Sequence, residues 1–209
     1  FQQYIPANKD DADMLEVNPG LSSFASNTTA AKEQLWGLIA QAKRWVPEDS
    51  QKSTAIRLGA TAGLRLVSTE DQNALIDAAE EALLDTSKSP FFFEKGDARI
   101  LSGEEEAVFG WISANFISKR FGEATTTGIM DLGGASTQIA FVPTDQIMEE
   151  QFSTKIESKI YRLYATSYLK FGNDQFKLQV LEDIVQEQSG TKGDASDPFS
   201  NPCQCFNFS

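Results

Sequence analysis

Three short runs hold residue types from which phosphate chemistry can be built. In Gly128-Ile129-Met130-Asp131-Leu132-Gly133-Gly134-Ala135-Ser136-Thr137-Gln138-Ile139-Ala140-Phe141-Val142, two apolar segments flank a glycine bend, and a carboxylate closes the first of them. Glycines let a backbone approach a ligand closely, and successive turn amides form an anion-binding concavity. Asp131 suits a hydrated divalent cation at that mouth, and the Ser136 hydroxyl suits donation to a phosphoryl oxygen. An ordinary β-hairpin with a capping Asp fits the same residues, and for an isolated D-x-G-G that plainer account is the commoner one. The second run is Gly59-Ala60-Thr61-Ala62-Gly63-Leu64-Arg65. Small residues at a strand's carboxyl end let a loop press against a ligand, but they equally serve a tightly packed strand-to-helix connection. It lacks the G-K-[ST] ending of a Walker A loop. The third run, Gly103-Glu104-Glu105-Glu106-Ala107-Val108-Phe109-Gly110-Trp111, puts three carboxylates at a helix start. The helix dipole accounts for two of them. A single Glu turned toward a ligand can act as general base for a water.

Composition narrows the chemistry further. Histidine is absent, which excludes a Ser-His-Asp triad, a Cys-His dyad and His-ligated zinc or haem. A carboxylate is therefore the expected base for hydrolysis. Lys plus Arg number 18 against 30 Asp plus Glu, a formal charge of −12. An acidic surface argues against duplex nucleic acid as a partner and does not steer anions from a distance. Phosphate chemistry must then rest on local devices, namely backbone amides or a metal ion. The two cysteines, Cys203 and Cys205, are spaced C-x-C near the end of the chain, neither a zinc framework nor a set of staples.

The elements that must position these runs follow from apolar spacing. Residues 1–28 are turn-rich, with short edge strands or loop expected around Asn18-Pro19-Gly20. Leu35, Leu38, Ile39, Ala42 and Trp45 recur at helical spacing from Ala30 until Pro47. Thr54 to Leu58 reads as a buried strand ending at Gly59. Thr69-Glu70-Asp71-Gln72 has capping-box form and opens a helix through Leu75, Ile76, Ala79, Leu83 and Leu84. After Pro90 and three phenylalanines, Ala98 to Leu101 reads as a strand. A helix from Glu104 to about Phe121 follows, with Val108, Trp111, Ile112, Asn115 and Phe116 on one face. Thr125 to Met130 and Ser136 to Val142 read as strands, Ile156 to Tyr168 as one long alternating strand, and Asp174 to Gln188 as a helix. Ser189 to Asn201 reads as loop. The order predicts an α/β fold of two similar halves with a seam near Ser102-Gly103. No stretch approaches the roughly 18 apolar residues of a membrane span.

Taken together, residues 59–65, 103–111 and 131–138 resemble, in that order, the second, third and fourth signature regions of the nucleoside triphosphate diphosphohydrolases (apyrases), and Asn201-Pro202-Cys203 is similar to a segment late in that family. The resemblance implies the two-lobed, ribonuclease H-like fold of the actin, heat-shock and sugar-kinase group. Residues 1–102 would form a first lobe lacking its N-terminal phosphate hairpin, and 103–209 the truncated start of a second. It also implies hydrolysis of the terminal phosphate of extracytoplasmic nucleoside tri- and diphosphates with Ca²⁺ or Mg²⁺. By motif match Glu106 would activate the water, with Ser136 and Gln138 positioning it or the phosphate. Asp131 would hold the metal through water. The amides of Gly133, Gly134 and Ala135, with Ser136, would cradle one phosphate, and Thr61, Ala62 and Gly63 would lie beside another. Arg65 is expected to pair with a structural carboxylate.

Two departures from the family pattern are small: Ala107 stands for a usual Gly and Leu64 for a common Met, the latter conserving volume. The first signature would precede Phe1 and the fifth would follow Ser209, so negligible turnover by these 209 residues alone is expected. Asn27-Thr28-Thr29 and Asn207-Phe208-Ser209 are N-x-[ST] sequons. They suit the extracellular or lumenal address that the family implies, with membrane anchoring of the full-length protein. An exopolyphosphatase or sugar-type kinase of the same fold group, or a non-catalytic nucleotide-binding relative, shares the glycine bend. The run ending at Trp111 favours the apyrase.

Overall fold

Helix α1 (Thr28–Trp45) begins where Asn27 accepts a hydrogen bond from the Ala30 N–H at 3.1 Å, and it ends with Lys43 and Arg44 against the helix dipole. In the computed structural model, which describes residues 15–147, 149 and 151–189, α1 belongs to one of two compact units. The first unit runs to Leu101 and the second starts at Ser102. Leu35 and Ile39 of α1 are buried against Ala79, Ala82 and Leu83 of α4 (Thr69–Leu84), with Phe91 and Ala98 completing the cluster. Each buried Leu, Ile or Phe side chain of this cluster contributes about 1.5–3 kcal/mol by leaving water. Trp45, predicted on this face, is 40% exposed because the helix ends there. The described part of the N-terminal stretch contains a 3-10 turn, Leu21–Phe24, rather than an edge strand.

Two further expectations shift in this unit. The strand predicted over residues 54–58 lies later: β1 is Leu58–Ala60, parallel to β2 (Ala98–Ile100), and upstream Ala55 forms only an isolated bridge with Phe92. Gly59 is inside the strand, paired with Arg99, and a Cβ there would lie 3.1 Å from Leu101 Cδ1. The cap of α4 is Ser68, whose hydroxyl accepts from the Asp71 N–H, not the Thr69 that the sequence suggested. Between them lie the short helices α2 (Glu48–Gln51) and α3 (Ala62–Arg65). Buried Glu80 accepts from the Gly96 N–H at 2.8 Å, tying α4 to the turn before β2.

In the second unit, α5 (Gly103–Ile117) packs on an antiparallel sheet of β3 (Ile129–Leu132), β4 (Ser136–Phe141), β5 (Gln151–Ile156) and β6 (Lys159–Leu169), in the order β3-β4-β6-β5. The helix opens on a full capping box between Ser102 and Glu105. Gly103, Ala107, Trp111 and Asn115 form its buried stripe at a spacing of four. It stops before Phe121, since Lys119 and Gly122 take positive φ, and Phe116 is left 54% exposed. The long strand predicted over residues 156–168 is a hairpin instead: Ile156 pairs with Lys159 around Glu157, whose φ is 54°. That turn reverses which side chains are covered, so Tyr161, Leu163 and Ala165 are buried while Ile160 is 64% exposed. Trp111, Tyr161 and Phe121 pack ring to ring at 5.4–5.7 Å over Ala140 and Ala165. Helix α6 (Asn173–Ser189) follows β6. No described helix is long and apolar enough to cross a membrane.

Candidate functional site

The sheet face under α5 changes character along its length. Residues opposite one another in an antiparallel pair share a face. Gln138 is opposite Asp131 on β3 and opposite Ser167 on β6; Ala140 is opposite Ala165. One end of the face is therefore apolar, closed by Ala107 and Trp111. The other end carries Asp131, Ser136, Gln138 and Ser167, all on the same parity, and Glu106 reaches it from the first turn of α5. Close approach of helix and sheet is set by Gly110, where a Cβ would stand 3.1 Å from Ile129 Cδ1.

Gln138 is the hub of this polar end. It is 1% exposed, and its Nε2 donates to Ser136 Oγ at 2.6 Å and Ser167 Oγ at 2.9 Å, with Glu106 Oε2 at 3.4 Å. An amide nitrogen has only two protons, so the two serines take them and the carboxylate shares one at longer range. The Glu106 carboxylate also fixes the sense of the amide, because a reversed Gln138 would set its oxygen against an anion. Gln138 Oε1 then remains an acceptor that no described side chain uses. A carboxylate, a hydroxyl and an oriented amide oxygen are the groups that hold and deprotonate a water.

Next to this cluster, the Gly133-Gly134-Ala135 bend joins β3 to β4, closed by the Gly133 N–H donating to Ser136 O at 3.0 Å. Asp131 lies one residue before the bend's entry and is exposed. Among the described residues no group of three or more Asp, Glu, Cys or His side chains gathers to cage a metal ion. A lone exposed carboxylate suits a cation that keeps much of its water shell, as Mg²⁺ does.

Thr61, Ala62 and Gly63 belong to the first unit. Thr61 is exposed at the end of β1, its carbonyl accepting from the Leu64 and Arg65 N–H groups, while Ala62 is buried. The structure thus joins Glu106, Ser136 and Gln138 in one hydrogen-bonded group beside the 133–135 bend. Ser167 belongs to that group and was not singled out from sequence. Its signal was a hydroxyl on the parity of Tyr161, Leu163 and Ala165, hidden when residues 156–168 are read as one strand. Asn27, of the first sequon, is exposed as the cap of α1. Asn207, Cys203 and Cys205 lie outside the described residues.

Comparison with known proteins agrees in direction. The model of the GDA1/CD39 (nucleoside phosphatase) family matches residues 2–208. An ectonucleoside triphosphate diphosphohydrolase 2 from Gallus gallus is 36% identical over 198 residues, covering 88% of this chain and 38% of that protein. A probable apyrase 5 from Arabidopsis thaliana is 35% identical over 193 residues, again with 38% of its length covered. The chain thus spans well under half of these relatives. In structure it is similar to nucleoside triphosphate hydrolases from Neospora caninum, with a TM-score of 0.60 at 16% identity, covering 76% of this chain and 33% of that one. That likeness supports the expected α/β fold.

Proposed function

The chain belongs to the GDA1/CD39 (nucleoside phosphatase) family, and from that premise we propose that the complete protein transfers the terminal phosphate of nucleoside tri- and diphosphates to water. The observation that carries this reading is the bonded group of Glu106, Gln138 and Ser136 beside a glycine bend. Gln138 Oε1 accepts a hydrogen bond from the attacking water, whose other proton passes to the Glu106 carboxylate as the water oxygen bonds to phosphorus. The bridging P–O bond opposite breaks, and a nucleotide shorter by one phosphate leaves. Ser136 Oγ and the amides of Gly133, Gly134 and Ala135 hold the phosphoryl oxygens, whose charge they share as the transition state forms. Thr61, Ala62 and Gly63 are assigned to a phosphate as well. Asp131 would hold Ca²⁺ or Mg²⁺ through water, a charge that neutralises phosphate oxygens when bound. An extracellular or lumenal address with membrane anchoring goes with this reading. Relatives whose names begin with "ecto" and the exposed Asn27 sequon support it.

The test is hydrolysis of ATP and ADP by the complete protein, with Ca²⁺ or Mg²⁺ and with chelator. Glu106→Gln should lower kcat by about 10²–10⁴-fold while leaving KM nearly unchanged. An unaltered rate in that variant, or transfer of phosphate to a sugar in preference to water, would overturn the reading.

A further inference from the structure

The amides that open α6 are already spent. The Asn173 N–H donates to Gly133 O at 2.8 Å, the Asp174 N–H to Gly134 O at 2.9 Å, and the Gln175 N–H also reaches Gly134 O at 3.2 Å. Just upstream, the Lys170 N–H donates to Ala135 O at 2.8 Å, and Thr137 Oγ1 donates to Phe171 O at 2.6 Å. Three successive carbonyls of the bend therefore face one corner, between β6 and α6. Gly172 occupies that corner, where a Cβ would drive into Ala135 N and the Gly134 carbonyl group. From the other side, a Cβ on Gly134 would stand 2.8 Å from Asp174 Oδ2.

In a trans peptide the C=O and the N–H point in opposite directions. Among the described residues the one cis bond is Asn18-Pro19, far from the bend. With the carbonyls of Gly133 and Gly134 turned into the corner, the N–H groups of Gly134 and Ala135 must face away from it. Neither makes a backbone hydrogen bond among the described residues. A backbone N–H seldom lacks a partner, and two adjacent ones aimed the same way form an anion concavity. The oxygens of the same two peptides accept from the positive end of a 17-residue helix. Accepting such bonds polarises each peptide and makes its N–H a better donor.

We propose that the corner of residues 170–175, with Gly172 at its centre, is a positioning element: it turns the bend's amides toward the bound phosphate and relays the α6 dipole to them. Naming phosphate as the occupant rests on the hydrolase reading above; the orientation of the peptides does not. Helix α6 cannot itself take the anion, since its leading amides are engaged. It acts through the bend.

The experiment uses the complete protein with inorganic phosphate as probe, read by backbone amide resonances and by nucleotide kinetics. In the wild type, phosphate should shift the Gly134 and Ala135 amides. Gly172→Ala, which forces a methyl group into the bend, should weaken phosphate binding by about tenfold or more and raise KM for nucleotide. Asn173→Pro should act in the same direction more mildly. It removes the donor to Gly133 O at a first helical position, where proline is tolerated. Neither variant should move the pH dependence set by Glu106, whereas general unfolding would abolish activity at every pH. Unchanged phosphate affinity in a folded Asn173→Pro protein overturns the relay, as does a wild type whose Gly134 and Ala135 amides ignore phosphate. A wild type that shows those shifts but hydrolyses no nucleotide supports the relay and overturns the hydrolase reading instead.

Discussion

In the first unit, a Cβ on Gly59 would meet the Leu101 side chain and one on Gly63 the Ser22 hydroxyl. In the second, Gly134 and Gly172 press on each other's segments and leave two adjacent amides facing outward. Both units also open a long helix on a serine: Ser68 accepts from the Asp71 N–H and Ser102 from the Glu105 N–H, each at 3.1 Å. Helix α4 turns its buried face to an alanine and leucine core, however, while the first turn of α5 delivers Glu106 to a polar patch. Similar local devices serve an apolar core in one place and a hydrogen-bonded polar cluster in the other. What separates them is the partner each meets.

The contrast can be broken at its most sensitive point by Ser167→Ala. That change strips one acceptor from the Gln138 amide and leaves a buried N–H unsatisfied. Nucleotide turnover by the complete protein should fall by about tenfold, and Ser167→Thr, which restores a hydroxyl, should recover most of it. Equal rates in all three proteins would remove Ser167 from the group.

A matched pair of cap variants sharpens the comparison. Ser68→Ala and Ser102→Ala should each cost about 1 kcal/mol of stability in denaturant unfolding. Only Ser102→Ala should also slow hydrolysis, because losing the Ser102 hydroxyl loosens the first turn of α5, which carries Glu106. If Ser68→Ala slows it as much, the two helices are not functionally distinct.

The smallest effect belongs to the first unit alone. At the end of α4, Asp85 accepts from the Ser87 hydroxyl at 2.6 Å and from the Ser87 N–H at 3.0 Å. Those bonds, with a lesser pull from Lys88, hold its carboxyl below the usual 3.8. Because the folded pKa lies below the unfolded one, the bonds stabilise the fold above the unfolded value. That contribution is lost as pH falls through the folded value. Ser87→Ala should bring the Asp85 titration, followed by carboxyl NMR, back toward the ordinary value without affecting hydrolysis. A titration that stays where it was would assign the shift elsewhere.

Much of the site was legible because its parts are local. The carboxylate run after Ser102 and the Gly133-Gly134 bend are set by capping and turn chemistry, which act within a few residues. Helix α1 was legible from its spacing and from Pro47. The errors fell where a nearby residue competed. Ser68 outdid Thr69 as a cap, pairing with Arg99 took Gly59 into a strand, and the Glu157 turn split one alternating run into two.

By itself, then, the amino-acid order determined that these 209 residues hold no histidine, that a carboxylate run opens a helix after Ser102, that long amphipathic helices form, and that a glycine bend is present. Tertiary structure alone decided that Gln138 gathers Ser136, Ser167 and Glu106, and that Gly172 turns the bend's amides outward. The physical reason is range. Caps and turns are bonds between residues three or four apart, whereas the Gln138–Ser167 bond spans 29 positions and the corner's bonds 34 to 41. Only the register of β4 with β6, set by burying one face under α5, brings such distant groups together.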